Sequence, residues 1–368
     1  MDGSVEKVGT VPVEIREAWA VRHGEAAARR LVEAENFADA MKAAAIPENT
    51  ADTYSKGWKV WQRFCAEQGL PETEGTRGAL VAFVAWMLDH GRKTPGPGGA
   101  RGYAPSSANS HLTAVIAGLR DPAIVKGNHQ PNPAPRDAHA EARARIESIA
   151  TQLAKSGERR GRGQALAADL DNLHRIAEAC DDTLVGRRDL ALVLTGFHFA
   201  SRASEVAGLL LADVTVHPQG LKVAVVTGKT RHSVRTAKIP RNLDEPELCA
   251  PSAWERWLAA YGATDPRAAA FPRIDRWGHI GGSMSPDSVT AAVARIAQRS
   301  RVPIRWTGHS LRSGLATEGR KNGKDPINIA DQGGWARNSK SMLEYMRRAD
   351  EWDDNAAAGL RRSPKGNS

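Results

Sequence analysis

A histidine, an arginine, an indole and a late tyrosine fall within one stretch, Thr307 to Tyr345. It reads T-G-H-S-L-R-S-G near its start and G-G-W-A-R-N-S-K-S-M-L-E-Y-M-R-R near its end. A tyrosine hydroxyl is a poor nucleophile at neutral pH, because its unperturbed pKa is about 10. It becomes useful where cationic groups hold its target and stabilise the charge that develops. Tyr345, His309, Arg312 and Trp335 are therefore candidates for one site, provided that other segments supply further cations.

Two upstream segments do. In S-R-A-S-E, Arg202 and Glu205 stand three residues apart, one helical turn, directly after an apolar run. An arginine so placed is either structurally paired or functional, and the local pattern leaves both open. Gly228-Lys229-Thr230 ends a valine-rich strand. It is not a nucleotide-binding loop, since Val223 stands where a Walker sequence needs its first glycine. A lysine at a hairpin tip suits phosphate contact and proton donation instead.

The elements that must position these groups follow from periodicity. The 368 residues exceed one typical domain. Residues 1–48 read as a helical or partly disordered segment, helical in look from about 13 to 45. Tyr54, Trp58, Trp61 and Cys65 repeat at helical spacing, as do Leu80, Phe83, Val84, Met87 and Leu88 in a second helix. Leu112, Val115, Ile116 and Leu119 mark a third, and 138–153 a fourth. Residues 49–154 thus predict a small helical bundle with Trp58 and Trp61 in its core. Residues 155–164 read as a basic linker. The second domain, 165–353, is expected to be mainly helical. One β-hairpin, 221–226 with 234–239, interrupts it, residues 271–283 read as irregular, and 354–368 form a tail. The fold class is α+β, mainly α with a small hairpin. A last short helix around 350–360 is a candidate contact between copies.

Composition sets limits on function. The formal charge is +9 and the isoelectric point near 9.6. Residues 1–48 carry −3, so the remainder carries +12. That favours a polyanionic partner, nucleic acid before an acidic membrane surface. Cys65, Cys180 and Cys249 lie far apart and lack zinc-ligand spacing, which points to a reducing interior. No apolar run approaches the roughly 20 residues of a membrane span. The N-terminus lacks the basic and apolar regions of a signal peptide. A cytoplasmic protein is expected, nucleoid-associated if bacterial.

In order and local context the set resembles the tyrosine recombinase (phage integrase) family. The resemblance rests on R-A-S-E at 202–205, G-K-T at 228–230, H-S-L-R at 309–312, G-G-W at 333–335 and Tyr345. It implies a helical core-binding domain at 49–154 and a catalytic domain at 165–353, closing as a C-shaped clamp on double-stranded DNA. It further implies that Arg202 and Arg312 hold the scissile phosphate and that Tyr345 attacks to form a 3′-phosphotyrosyl bond. Lys229 would protonate the leaving 5′-oxygen, His309 would bond the phosphate and assist proton movement at the tyrosine, and Glu205 would orient its neighbours. Trp335 falls where most members carry a second histidine, tryptophan being the choice of Cre-like members. An indole there donates one hydrogen bond but cannot shuttle a proton.

The resemblance implies site-specific recombination through a Holliday junction by a homotetramer on two DNA sites, monomeric or weakly dimeric without DNA. Metal, nucleotide and other cofactors are expected to be absent, and a DNA-bending accessory protein is left open. A type IB topoisomerase or telomere resolvase would use the same chemistry. A non-catalytic DNA-binding protein on the same fold would be expected to lose members of the set. One departure bears on delivery of the nucleophile. The interval from Trp335 to Tyr345 is ten positions where nine is usual, and one extra residue turns a helix by about 100°.

Overall fold

The computed structural model describes residues 11–44, 46, 48–96, 99–127, 129–158, 160–161, 165–227, 233–303 and 305–349. The chain divides into two compact units, residues 1–163 and 164–368.

The first unit is all helical among the described residues. The expected single helix over 13–45 is two, α1 (Val13–His23) and α2 (Glu25–Ala44), because Gly24 takes φ +82° and breaks the run. Then come α3 (Glu48–Gln68), α4 (Arg77–Asp89), α5 (Pro105–Arg120) and α6 (Arg136–Ser156). Thr76 caps α4, its hydroxyl accepting from the Ala79 amide at 3.2 Å, and Pro105 opens α5 at a position that needs no N–H. Helix α6 runs further than expected, taking in Lys155 and Ser156 before Gly157 closes it in the left-handed region at φ +70°. The apolar stripes of α3, α4, α5 and α6 meet in one core. Trp61, Phe64 and Phe83 form its centre, with Trp61 and Phe83 edge to face at 5.1 Å.

The second unit surrounds a larger core with α7 (Leu170–Ala179), α8 (Leu184–His198), α9 (Ala203–Gly208), α10 (Ala250–Tyr261), α11 (Pro286–Arg299), α12 (Gly308–Lys321), α13 (Pro326–Gly333) and α14 (Lys340–Ala349). The apolar helix α8 lies at its heart, with Leu190 to Leu194 almost wholly buried. Side chains start the helices: Asp169 caps α7, Thr183 caps α8 and Ser285 caps α11.

The sheet is richer than the pattern indicated. Strand β1 (Val214–His217) joins β2 (Gly220–Thr227) and β3 (Ser233–Pro240) in an antiparallel sheet of order β1-β2-β3. The β2–β3 pairing is the expected hairpin, extended at its ends. A second hairpin, β4 (Pro272–Ile274) with β5 (Ile280–Ser283), replaces the expected irregular stretch. The Asp275 carboxylate organises its turn, accepting from the Trp277 and His279 amides.

Candidate active site

The site is built where α8 ends. Three carbonyls there lack helical partners, as at any helix C-terminus. Three different side chains take them in turn. The Gln332 amide donates to His198 O at 2.8 Å, Arg235 donates to Phe199 O at 3.0 Å, and Arg312 donates to Ala200 O at 2.6 Å. The partial negative charge of the helix end favours the two cations. Ala200 itself is left-handed at φ +51°, a conformation that costs an alanine about 1–2 kcal/mol. It reverses the chain so that Arg202 follows at the head of α9.

Glu205, one turn into α9, accepts from the Arg202 amide at 2.8 Å and also pairs with the Arg202 guanidinium. The structural and functional readings of this arginine therefore both apply. Its side chain is bound at one end to Glu205 and stays about half exposed.

Helix α12 brings in His309 and Arg312, three residues apart on one face. Thr307 caps it, accepting from the His309 amide at 3.2 Å, while Ser310 accepts from the Thr307 amide at 3.0 Å. Arg312 is only 2% exposed. Its second carbonyl contact is Gly333 O at 2.8 Å, and its guanidinium stacks on the Trp335 ring at 4.0 Å. The remaining terminal nitrogen, Nη2, is buried with no hydrogen-bond partner among the described residues. An orphaned donor on a buried cation is costly unless an anion completes it. Burial, then the charge of Arg202, pulls the Arg312 guanidinium down to about 10, and it stays charged at neutral pH.

The G-G-W motif has a steric basis. A Cβ on Gly333 would lie 2.0 Å from the Trp335 ring, and Gly334 is left-handed at φ +64° with Arg235 filling the space its Cβ would take. In this site Trp335 is the platform under Arg312.

Tyr345 arrives on α14. Met342, Tyr345 and Met346 share one face of that helix and bury it against Ala316 of α12 and Ile329 and Ala330 of α13. The extra residue after Trp335 is taken up before the helix begins. Residues 336–339 form a turn, with the Ser339 amide donating to Ala336 O at 2.9 Å, and the α-helical bonding that follows is regular. The Tyr345 hydroxyl lies 2.7 Å from His309 Nε2.

His309 is open to solvent on one side. Its surroundings nevertheless lower its pKa from the ordinary 6.5, first through desolvation and then through the charges of Arg312 and Arg202. The neutral imidazole is thus the resident form at pH 7, and its Nε2 can accept the phenolic proton. If that proton transfer limits reaction at Tyr345, the acid limb of the rate profile falls below pH 6.5, because only protonation of His309 removes the acceptor. A single-turnover pH series measures this, and an acid limb centred above 6.5 would contradict it.

Of the residues singled out in the sequence, Arg202, Glu205, His309, Arg312, Trp335 and Tyr345 are thus brought together. Lys229 and the suggested helix at 350–360 lie outside the described residues. One arginine escaped the sequence reading. Arg235 follows the hairpin tip on β3, and its pairing opposite Val225 puts it on the inward face with Ala237 and Ile239. An arginine in an otherwise apolar inward register was the signal available. Among these described groups, three guanidiniums face one carboxylate, a local excess of two positive charges.

The profile of the phage integrase family matches residues 168–351, half of the chain. The chain belongs to that family, the tyrosine site-specific recombinases. Among curated proteins it is similar to an integrase/recombinase XerD homolog of Selenomonas ruminantium, 24% identical over 315 residues and covering 84% of each chain. It is also similar to the recombinase Cre of Escherichia phage P1, 26% identical over 315 residues, covering 80% of this chain and 82% of Cre. Two solved structures share the fold. One is the Tn1549 transposon integrase in complex with transposon right end DNA, with a TM-score of 0.53 at 13% identity over 83% of this chain and 94% of that one. The other is a lambda integrase dimer bound to a core site, with a TM-score of 0.52 at 14% identity over 88% of this chain and 79% of that one.

Proposed function

We propose that this recombinase cuts and rejoins double-stranded DNA through a covalent bond from Tyr345 to a 3′-phosphate. The observation that carries the reading is the Tyr345 hydroxyl held 2.7 Å from His309 Nε2, beside a buried arginine with an unfilled donor. Arg202 and Arg312 bind the non-bridging oxygens of the scissile phosphate, Arg312 through its free Nη2. The Tyr345 oxygen attacks phosphorus as its proton passes to His309. The bond from phosphorus to the 5′-oxygen breaks, and Lys229 protonates that oxygen. The local excess of two positive charges suits the two negative charges borne by the non-bridging oxygens in the transition state. Because the phosphotyrosyl bond conserves the energy of the broken one, a 5′-hydroxyl of a second strand reverses the step. No metal or nucleotide is assigned a part.

Trp335 in this reading is Cre-like, replacing a second histidine by stacking on Arg312. The helical unit serves as a second DNA-binding domain. It presents a groove with four cations, Lys59, Arg63, Arg92 and Lys93, beside Tyr103 and His111, a composition suited to phosphate contacts. Exchange between two sites requires four copies, and we place the work in the cytoplasm. Among the described residues no helix is long and apolar enough to cross a membrane.

The test is a nicked duplex bearing the site that the protein selects from a random-sequence DNA pool. Cleavage beside the nick releases a short fragment and traps the covalent adduct. Wild type accumulates the adduct at the same rate with and without EDTA, and peptide mapping finds the nucleotide on Tyr345. Attachment to another residue, or loss of the rate in EDTA, overturns the mechanism.

A further inference from the structure

Arg235 is an arginine in a place that suits an aliphatic side chain. Its partner across the sheet is Val225, and the next residues on its face of β3, Ala237 and Ile239, lie in the apolar core. Desolvation pulls its guanidinium pKa down, against the attraction of Glu205. Its Nε is buried with no hydrogen-bond partner among the described residues. A valine or leucine would fit the same register and be cheaper to bury. A cation held there despite this burial calls for a reason in its contacts.

Those contacts supply one. Arg235 and Arg312 grip the same two turns at adjacent carbonyls. At the end of α8, Arg235 takes Phe199 O and Arg312 takes Ala200 O. At the end of α13, Arg235 takes Gln332 O at 2.6 Å and Arg312 takes Gly333 O at 2.8 Å. The two turns are thus tied twice, and the seat of Arg312 is set partly by its neighbour. Arg235 also lies 3.6 Å from one oxygen of Glu205, whose other oxygen pairs with Arg202. One side chain therefore touches the supports of both arginines assigned to the phosphate: the turns that hold Arg312 and the carboxylate that holds Arg202. Its charge works against Arg312 in the free protein, and the same charge attracts an anion that Arg312 binds.

We propose that Arg235 is a positioning residue for the phosphate clamp, fixing Arg202 and Arg312 at the spacing that receives the two non-bridging oxygens of one phosphate. It acts through those two arginines and does not itself bind the phosphate. This rests on the mechanism above, and the experiment separates the two. The nicked duplex is made in two forms, one with an ordinary scissile phosphate and one with a methylphosphonate there. The methyl group replaces one non-bridging oxygen, which removes the charge of the centre and leaves a single oxygen to be held. The demand for two cations at a fixed spacing falls with it. Attack by Tyr345 and departure of the 5′-oxygen are the same on both substrates. Cleavage is read as release of the short fragment.

On ordinary phosphate, Arg235→Met slows cleavage by about 10- to 100-fold, the loss that goes with misplacing the groups that hold a reacting centre by about 1 Å. Arg235→Lys, which keeps the charge but loses the fork, recovers part of the rate. On methylphosphonate, Arg235→Met cleaves within about threefold of the wild-type rate. A wild-type rate for Arg235→Met on phosphate overturns the proposal. So does an equal fold-loss on the two substrates, the result expected if Arg235 merely stabilises the domain. Should Arg235→Met fail to fold, Arg235→Lys carries the same comparison, and the same two results overturn it. Failure of wild type to cleave either substrate defeats the mechanism itself, a result distinct from any of these.

Discussion

Tyr345→Phe abolishes the covalent adduct while leaving the protein folded and bound to DNA. The change deletes one oxygen. The ring keeps its packing against Met342 and Met346, so the apolar contribution of α14 is retained. The loss includes the hydrogen bond to His309, about 0.5–1.5 kcal/mol in stability, which a melting curve would register as a shift of a few degrees. The phosphate contacts assigned to Arg202 and Arg312 are untouched, so affinity for the selected site changes by less than about threefold. The adduct, in contrast, has no nucleophile. Gel analysis of the nicked duplex measures binding and adduct together, and residual adduct above background would move the nucleophile to another residue.

Arg312→Met produces the second large effect, and its interest lies in what it does not do. Adduct formation falls by on the order of 10³-fold or more, since a preorganised donor at a developing oxyanion is worth about 2.7–4 kcal/mol and Arg312 is also a full charge. Arg312→Lys loses nearly as much, because an ammonium cannot reach both carbonyls and the phosphate as the planar fork does. Stability moves far less. The two abandoned carbonyls, Ala200 O and Gly333 O, cost about 1–3 kcal/mol each. Relief from burying a cation among Arg202 and Arg235 offsets several kcal/mol. The terms are of similar size and opposite sign, so the melting temperature stays within a few degrees. Inorganic phosphate sharpens the contrast. It raises the melting temperature of wild type by filling the site and leaves Arg312→Met unchanged. A variant that unfolds outright would show Arg312 to be a structural brace first.

These two outcomes share a cause. The site holds more positive charge than its own carboxylate neutralises, and it keeps a buried donor and a left-handed alanine. The charge excess and the unfilled donor cost stability in the free protein and are compensated when an anion binds, whereas the strain at Ala200 is carried in both states. The recombinase is therefore expected to be held more firmly in the presence of its phosphate ligand.

The candidate groups of the site were legible in the sequence because they stand as residue types in short local contexts. R-A-S-E, H-S-L-R and G-G-W each name their groups, and Tyr345 follows at helical spacing with Met342 and Met346. The helical core was legible for a related reason. Periodic apolar residues such as Tyr54, Trp58, Trp61 and Cys65 define a face without reference to any partner. Strands β1, β4 and β5 were not. They are three or four residues long, mostly exposed, and held by pairing with other segments, so no stretch of their own sequence carries the pattern.

The site's assembly belongs to the tertiary structure alone. Whether the extra residue after Trp335 rotated Tyr345 away depended on the turn at 336–339 taking it up, and on α14 finding its seat against Ala316 and Ile329. Arg235 looked like one more charge on a hairpin until the fold set it beside carbonyls 36 and 97 residues away in sequence. Local sequence encodes which groups are available and which face each element buries, since those follow from side-chain chemistry and backbone period. Which unsatisfied carbonyl meets which distant guanidinium is decided only when all the segments pack at once.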